Sequence, residues 1–250
     1  MAASRITACG QRGAGAMLVF IIVFVAIFVQ AVTGFGLALV SMPLLVQVLD
    51  IQVASPLVAL IGGVAEILLL LHYRADLNLR AVLRLIAASL VGIPIGVLLL
   101  QQVEAQVITA VLGLIIIAYA LYALFGLRLP QLAHRAWGYG FGFVAGVLGG
   151  AYNISGPPVI IYGNCRQWPP AEFKSNLQGF FVVSSYTIIA SHALSGNFSP
   201  AVWQNFLIAL PAILLALFAG FRMDKFLNPE RFRRIVLVVL VVLGISLLVA

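Results

Sequence analysis

Long apolar stretches, separated by short polar segments that hold nearly all the charges, dominate the chain. No Asp, Glu, Lys or Arg occurs in seven of them, which are 13–49, 51–65, 85–103, 105–127, 136–165, 175–221 and 235–250. A helix crosses a bilayer core of about 30 Å with about 20 apolar residues, and most of these stretches are long enough for one span. The pattern therefore predicts an all-α fold, a polytopic helical membrane protein.

The stretches divide into about eight hydrophobic segments, predicted at 16–49, 54–73, 82–101, 106–125, 136–163, 175–195, 202–221 and 232–250. At 1.5 Å per residue, segment 16–49 would be about 50 Å long as one straight helix, so it must tilt strongly or break. A transmembrane barrel is not predicted, because the runs do not alternate between polar and apolar residues.

Two segments carry glycines and prolines where a helix is expected to break. In segment 16–49 the break is predicted at Thr33–Gly36, with Pro43 further on. In segment 136–163 a glycine-rich stretch leads into residues 153–158. Neighbouring prolines remove two backbone donors, so we expect no continuous helix through Gly156–Pro158. Irregular backbone at membrane depth is tolerated only when it is buried in protein or faces a cavity.

The two broken segments each open a set of four segments, and the two sets correspond in architecture. The prolines after the breaks, Pro43 and Pro158, are 115 residues apart, and the next pair, Pro94 and Pro211, is 117 residues apart. We therefore predict two pseudo-symmetric transmembrane repeats with broken or re-entrant first helices. The predicted repeats are 1–126 and 127–250.

Arginines in the connections predict the orientation of the repeats. Lys and Arg favour cytoplasmic loops, and three connections are rich in them, at 74–84, 128–135 and 222–234. Eight simple spans cannot place all three on one side. All three agree if the first segment of each repeat dips in and returns, or crosses twice, which makes the repeats inverted. A plain parallel repeat of eight spans is the alternative.

Composition removes several function classes. The chain is 63% hydrophobic and 8% charged. In soluble globular proteins about a quarter of the residues are charged, so this class is excluded. Disordered chains have low hydrophobicity and high net charge, so disorder is excluded as well. The net charge is +7, but the Lys and Arg residues lie in short loops, where they indicate the orientation of the protein in the membrane. No nucleic-acid partner is therefore predicted. The two cysteines, Cys9 and Cys165, indicate no disulfide framework, and no Cys/His spacing indicates a metal site or cofactor.

The end of segment 136–163 carries the most specific signal. Gly146–Pro158 followed by Ile160–Tyr162 resembles the second-half signature of the TauE/SafE family of sulfite and organosulfonate exporters, and Thr33–Gly36 through Pro43 resembles its first-half counterpart. The resemblance covers nearly the whole chain. It implies a multi-pass protein of the cytoplasmic membrane that transports a small anion, mostly of sulfur, such as sulfite, thiosulfate or sulfoacetate.

The two breaks are the predicted substrate site. A broken helix presents unpaired backbone N–H groups and a positive dipole end, both of which favour an anion. The predicted binding residues are Gln30, Thr33, Gly34 and Gly36 at the first break, and Gly149, Gly150, Asn153, Ser155 and Gly156 at the second. Close helix packing is the alternative for the glycines, and an interhelical hydrogen bond is the alternative for Gln30.

Three further residues are candidates for coupling or gating. Glu66 is the only acid well inside an apolar span, where a charge is costly, and its carboxyl group could bind and release a proton during transport. A hydrogen bond between helices or an arginine pair is its structural alternative. His192 lies in an apolar span and titrates near neutral pH when unperturbed. Lys174 begins a span at a place where the family often has a basic residue, and membrane orientation with lipid headgroup contact is its alternative.

The resulting hypothesis is a secondary transporter that moves a small anion by alternating access, with proton coupling as an option. The alternatives are a transporter of another small solute, such as a carboxylate or a metal ion, and a non-transporting membrane assembly factor. No nucleotide-binding or nucleophile motif is present in the sequence, so neither enzymatic activity nor a catalytic residue is predicted. The expected partners are the substrate and membrane lipids, and a homodimer is possible.

Overall fold

The computed structural model describes the backbone of residues 2–126, 130–132, 134–223 and 229–249, and their side chains except those of 2–14 and 229–230. These residues form ten α-helices, one 3-10 turn at Arg74–Asp76 and no strand. The helices are α1 (Ala2–Thr33), α2 (Leu37–Leu45), α3 (Ile51–Tyr73), α4 (Leu79–Gln102), α5 (Ala105–Phe125), α6 (Trp137–Tyr152), α7 (Gly156–Cys165), α8 (Pro170–Leu194), α9 (Pro200–Met223) and α10 (Pro229–Val249). Seven of them are long and apolar enough to cross a membrane, namely α1, α3, α4, α5, α8, α9 and α10. The predicted polytopic helical membrane protein is confirmed.

Both long segments break at the predicted places. Residues 34–36 separate α1 from α2, and both Gly34 (φ 84°) and Gly36 (φ 121°) adopt a backbone conformation that L side chains rarely enter. Residues 153–155 separate α6 from α7, and Asn153 is left-handed, with φ 58°. Asn is one of the few non-glycine residues that tolerate this conformation. The eight predicted segments therefore become ten helices.

The position of the second break corrects one expectation. Gly156–Pro158 does not interrupt a helix, because α7 begins at Gly156 and both prolines occupy its first turn. The first N–H groups of a helix have no partner within it, so proline is tolerated there. The irregular residues lie immediately before Gly156, from Asn153 onward.

The second broken segment forms a hairpin. Phe141 near the start of α6 and Tyr162 near the end of α7 have ring centroids 5.7 Å apart. Just beyond these positions, Arg166 Nη1 donates a hydrogen bond of 2.6 Å to the backbone oxygen of Leu132. The chain therefore enters along α6, turns at 153–155 and returns along α7.

Helices α3 and α8 lie antiparallel against each other. At one end of the pair, Ser175 Oγ donates to the backbone oxygen of Tyr73. At the other end, Ser55 Oγ lies 3.5 Å from His192 Nε2. Because low numbers on α3 face high numbers on α8, the two helices run in opposite directions.

The outer helices pack in pairs, α4 with α6, α1 with α9 and α5 with α10. The α4–α6 contact is a backbone contact at glycines. A Cβ atom on Gly142 would overlap the backbone of Leu85, and one on Gly150 would overlap that of Ile93. The numbers rise together along both helices, so α4 and α6 are parallel, and small residues allow their close approach.

One end of the bundle gathers arginines, and we call it the arginine end. Here α3 ends and α4, α6 and α8 begin, since Asn176 Oδ1 accepts from the backbone N–H of Asn78 and Gly138 faces Arg84. The predicted orientation also depends on Arg128 and Lys225, which lie outside the described residues. The side chains of Arg5 and Arg12 near the start of α1 are not described either.

Candidate functional site

A small cavity lies between the two helix breaks, in the middle of the α3–α8 pair. The space open to the centre of a water molecule is about 30 Å³, more than the 10–15 Å³ or so that one water needs. Both breaks line it, together with residues near the centres of α3 and α8. Its polar side chains are Gln30, Glu66, Asn153, Ser155 and Ser185.

Gln30 spans the first break and leaves one donor unused. Its Oε1 accepts a 2.8 Å hydrogen bond from the backbone N–H of Leu37, in the first turn of α2. Its Nε2 is buried and has no hydrogen-bond partner among the described residues. An unpaired buried donor costs about 1–3 kcal/mol, so the cavity favours contents that accept a hydrogen bond at this amide.

The predicted residues of the first break divide between two surroundings. Gly36 lines the cavity. Thr33 donates to the backbone oxygen of Val29 at 2.8 Å and faces a separate small pocket beside Arg233. The carbonyl of Gly34 accepts a 2.6 Å hydrogen bond from Gln178 Nε2. Gly36 and Gln30 are thus brought to the cavity, whereas Thr33 and Gly34 lie beside it.

The second break brings two polar side chains to the cavity, those of Asn153 and Ser155. Asn153, Ser155 and Gly156 all line it. Asn153 Nδ2 is fixed by bonds of 2.8 Å to the backbone oxygen of Ser55 and 3.1 Å to its hydroxyl. Ser155 precedes α7 without a side-chain capping bond, so its buried hydroxyl is available to a ligand.

The other two predicted glycines support the second break from outside the cavity. Gly150 lies in the backbone contact between α6 and α4, which is the packing role weighed as its alternative. The carbonyl of Gly149 accepts from the N–H of Asn153 at 2.7 Å, and a Cβ atom there would lie 3.3 Å from that of Ser155. Neither glycine lines the cavity within the described residues.

Glu66 faces the cavity from the middle of α3. Its side chain is 7% exposed, and Ser185 Oγ on α8 donates a hydrogen bond to its Oε2. The interhelical hydrogen bond that was the structural alternative is therefore present. It leaves Glu66 in the same cavity as Gln30 and Ser155, so the carboxyl group is placed where its charge would act on a bound anion.

His192 is fully buried behind the second break and does not line the cavity. Its Nδ1 lies 2.8 Å from Asn197 Nδ2, and Gln101 Nε2 donates to the amide oxygen of Asn197 at 2.6 Å. An amide NH₂ can only donate, so the ring proton belongs on Nε2, toward Ser55. His192 therefore connects to Asn153 through Ser55.

Lys174 packs against the first break. Its Cγ lies 3.4 Å from where a Cβ of Gly34 would be, and its Nζ lies 5.2 Å from the ring centroid of Tyr73. One turn later, the fully buried Gln178 donates to Gly34 and leaves its own Oε1 without a partner in the described part of the chain. Lys174 is thus beside the break and outside the cavity.

Sequence reasoning missed Ser185 and Ser55, which hold Glu66 and Asn153. Isolated serines in apolar spans are common and give no signal by themselves. One signal was available for Ser185, since it follows Glu66 by 119 residues, close to the spacing of the proline pairs. Corresponding positions of two repeats can meet at the centre of a pseudo-symmetric fold.

Comparisons with known proteins cover the same region. The family model described as sulfite exporter TauE/SafE matches residues 19–247, which include both breaks and every residue of the cavity. A relative from Cupriavidus necator, named "Probable sulfite/organosulfonate exporter TauE", is 30% identical over 233 residues, covering 88% of this chain and 89% of the relative. No solved structure gives a significant match.

Proposed function

This chain belongs to the sulfite exporter TauE/SafE family, and we propose that it moves a sulfur oxyanion or organosulfonate through the cavity between its two helix breaks. The family consists of exporters rather than enzymes, so the chain is a multi-pass transport protein. The observation that supports an anionic substrate is the buried Nε2 of Gln30, a donor without a partner among the described residues, on a side chain that lines the same cavity as Ser155.

Neutral donors suit the transport of an anion. Gln30 and Ser155 would replace part of the hydration of an anion without a permanent countercharge, so the anion can leave again. A metal-ion substrate is less well supported, because cation sites use several carboxylate or carbonyl oxygens. Across the described ranges, no three His, Cys, Asp or Glu side chains gather.

The packing of the helices supports two inverted repeats, 1–126 and 127–250. If α1–α5 correspond in order to α6–α10, the contact of α1 with α9 corresponds to that of α6 with α4. The pairs α3–α8 and α5–α10 then each join equivalent helices, and the antiparallel course of α3 and α8 is what inversion requires. Alternating access would follow from one bundle rocking against the other.

Glu66 supports proton coupling in this scheme. An ionised carboxylate would repel an anion held in the same small cavity. We therefore expect the proton on Glu66 and the anion to enter and leave the cavity together, with Ser185 holding the carboxyl group. The sulfur anion and the proton would then move in the same direction.

Ligand-induced stabilisation tests the substrate class. Purified protein in detergent is heated with sulfite, thiosulfate, sulfoacetate, sulfate, lactate or chloride at constant ionic strength. A ligand that binds only the folded state, at a hundred times its Kd, stabilises it by about 2.7 kcal/mol. We expect stabilisation by one or more of the sulfur anions, lost in Ser155→Ala and kept in Ser89→Ala, whose hydroxyl bonds within α4.

Equal stabilisation by chloride, lactate and the sulfur anions would contradict the proposal, and so would selective stabilisation that survives Ser155→Ala. Coupling is tested separately in proteoliposomes. A pH gradient should drive anion accumulation by the parent protein and by Glu104→Gln, an exposed carboxylate before α5. Glu66→Gln should exchange anions but no longer respond to the gradient; a retained response would exclude Glu66 as the coupling residue.

A further inference from the structure

A second and larger cavity opens at the arginine end, and we call it the arginine cleft. Its volume is about 360 Å³. It lies between the end of α7 and the starts of α4, α6 and α8, and no described residue lines both this cleft and the central cavity. Its charged side chains are Arg80, Arg84, Arg135, Arg166 and Glu172.

The charge of the arginine cleft is strongly positive. Four guanidinium groups and one carboxylate line the cleft. The Oε1 of that carboxylate, Glu172, accepts hydrogen bonds from the amides of Asn78 at 3.1 Å and Asn176 at 3.2 Å. Among the described residues of the cleft, the single acid is therefore held by neutral amides, and the formal charge of these residues is +3.

Packing contacts and a hydrogen bond also hold several side chains of the arginine cleft in place. Gly138 on α6 lets two groups converge, since a Cβ atom there would lie 3.2 Å from Arg84 Cβ and 3.3 Å from the phenol oxygen of Tyr162. The bond from Arg166 Nη1 to the oxygen of Leu132 fixes a second guanidinium. The ring of Trp168 packs against Tyr162 with centroids 5.8 Å apart.

We propose that the arginine cleft is a second anion-binding site, which holds an oxyanion group of the sulfate, sulfonate or phosphate type. Planar guanidinium groups bind such groups with paired hydrogen bonds, and the phenol of Tyr162 adds a donor. A concave cluster of one sign also concentrates counter-ions from solution. The oxyanion comes either from a soluble anion or from the headgroup of an anionic lipid.

The cleft is connected to the first break through the start of α8. Asn176 joins Asn78 and Glu172 at the cleft, and Gln178, on the same helix, bonds to Gly34. The start of α8 thus contacts both the arginine cleft and the first break. Binding in the cleft nevertheless involves its own residues and can be measured whether or not the protein transports.

Trp168 provides a reporter within the cleft. The chain has three tryptophans, and replacing the half-exposed Trp137 and Trp203 by Phe leaves Trp168 as the single emitter. This protein, purified in detergent, is titrated with sulfate, thiosulfate and chloride at constant ionic strength. We expect a saturable change in emission with the divalent oxyanions, at least tenfold weaker in Arg84→Gln, and little response to chloride.

Two controls separate this site from its surroundings. Arg222→Gln, whose parent side chain lies over the ring of Phe218, should titrate like the parent. Ser155→Ala should also leave the Trp168 titration unchanged, because it alters only the central cavity. Failure of the central site and failure of the arginine cleft are therefore distinguishable.

A lipid titration identifies the source of the oxyanion. Short-chain phosphatidylglycerol is compared with phosphatidylcholine of the same chain length in the same single-tryptophan protein. A response to phosphatidylglycerol without one to sulfate assigns the site to lipid headgroups, and the reverse assigns it to soluble anions. The proposal is overturned if neither ligand gives a saturable signal, or if the signal persists in both Arg84→Gln and the double variant Arg80→Gln/Arg84→Gln.

Discussion

The two helix breaks each interrupt a long apolar segment but reach their geometry by different chemistry. The first break uses two glycines with positive φ, and the amide of Gln30 reaches across it to the start of α2. The second break uses the left-handed Asn153, followed by two prolines in the first turn of α7. One break is therefore shaped by missing side chains and the other by a side chain that is tied to α3.

The difference changes what each break can offer to an anion. Ala38 and Leu39 of α2 keep their backbone N–H groups and line the cavity. In α7, Pro157 and Pro158 have no N–H to give, so the hydroxyl of Ser155 must supply more of the binding. The first break thus offers backbone donors at the cavity, whereas the second offers a side-chain donor.

The largest expected effect concerns the backbone of the first break. Gly36→Ala places a side chain at φ 121° with its Cβ 3.1 Å from Val29 Cγ1, and strain of this kind costs about 1–3 kcal/mol. We expect the free energy of unfolding, measured by denaturant titration in mixed micelles, to fall by about that amount. Gly15→Ala is the control, because no described atom lies within 4 Å of its added Cβ and α1 continues through it. An unchanged value for Gly36→Ala would show that the first break relaxes easily.

An intermediate effect is expected on anion binding at the first break. Gln30→Leu removes both the unpaired donor and the acceptor that holds Leu37. Hydrogen bonds to charged groups contribute about 1.5–3 kcal/mol, so the Kd for the stabilising anion should rise about tenfold or more. Gln47→Leu, whose amide bonds to Pro43 and Ser246 outside the cavity, is the matched control. Equal affinities for the parent and Gln30→Leu would leave the second break as the dominant binding element.

The sequence allowed the breaks to be predicted but not the direction of their side chains. Glycine and proline act on the backbone nearest to them, so Thr33–Gly36 and residues 153–158 could be recognised locally. The exact start of α7 could not, because proline fits the first turn of a helix as well as it ends one.

Roles that depend on tertiary packing were beyond local reasoning. Gly150 contacts α4 and Gly36 lines the cavity. Each lies in its own glycine-containing stretch, and the local sequence does not distinguish these two roles. The bond between Glu66 and Ser185 required knowledge that α3 and α8 lie antiparallel. Glu66 and Ser185 are 119 residues apart in the chain, and only the predicted correspondence of the two repeats related one position to the other.

The smallest effect distinguishes strain from bonding at the second break. Asn153 and Gln167 are the two non-glycine residues with positive φ in the described ranges, at 58° and 54°. Glycine adopts this conformation without strain, so Gln167→Gly, at an exposed position, should leave stability unchanged or raise it by a few tenths of a kcal/mol. Asn153→Gly should instead lower the free energy of unfolding by about 1 kcal/mol, because it removes the bonds to Ser55. Changes of the same sign in both variants would mean that Asn153 is present for its backbone alone, and the second break would then be no better anchored than the first.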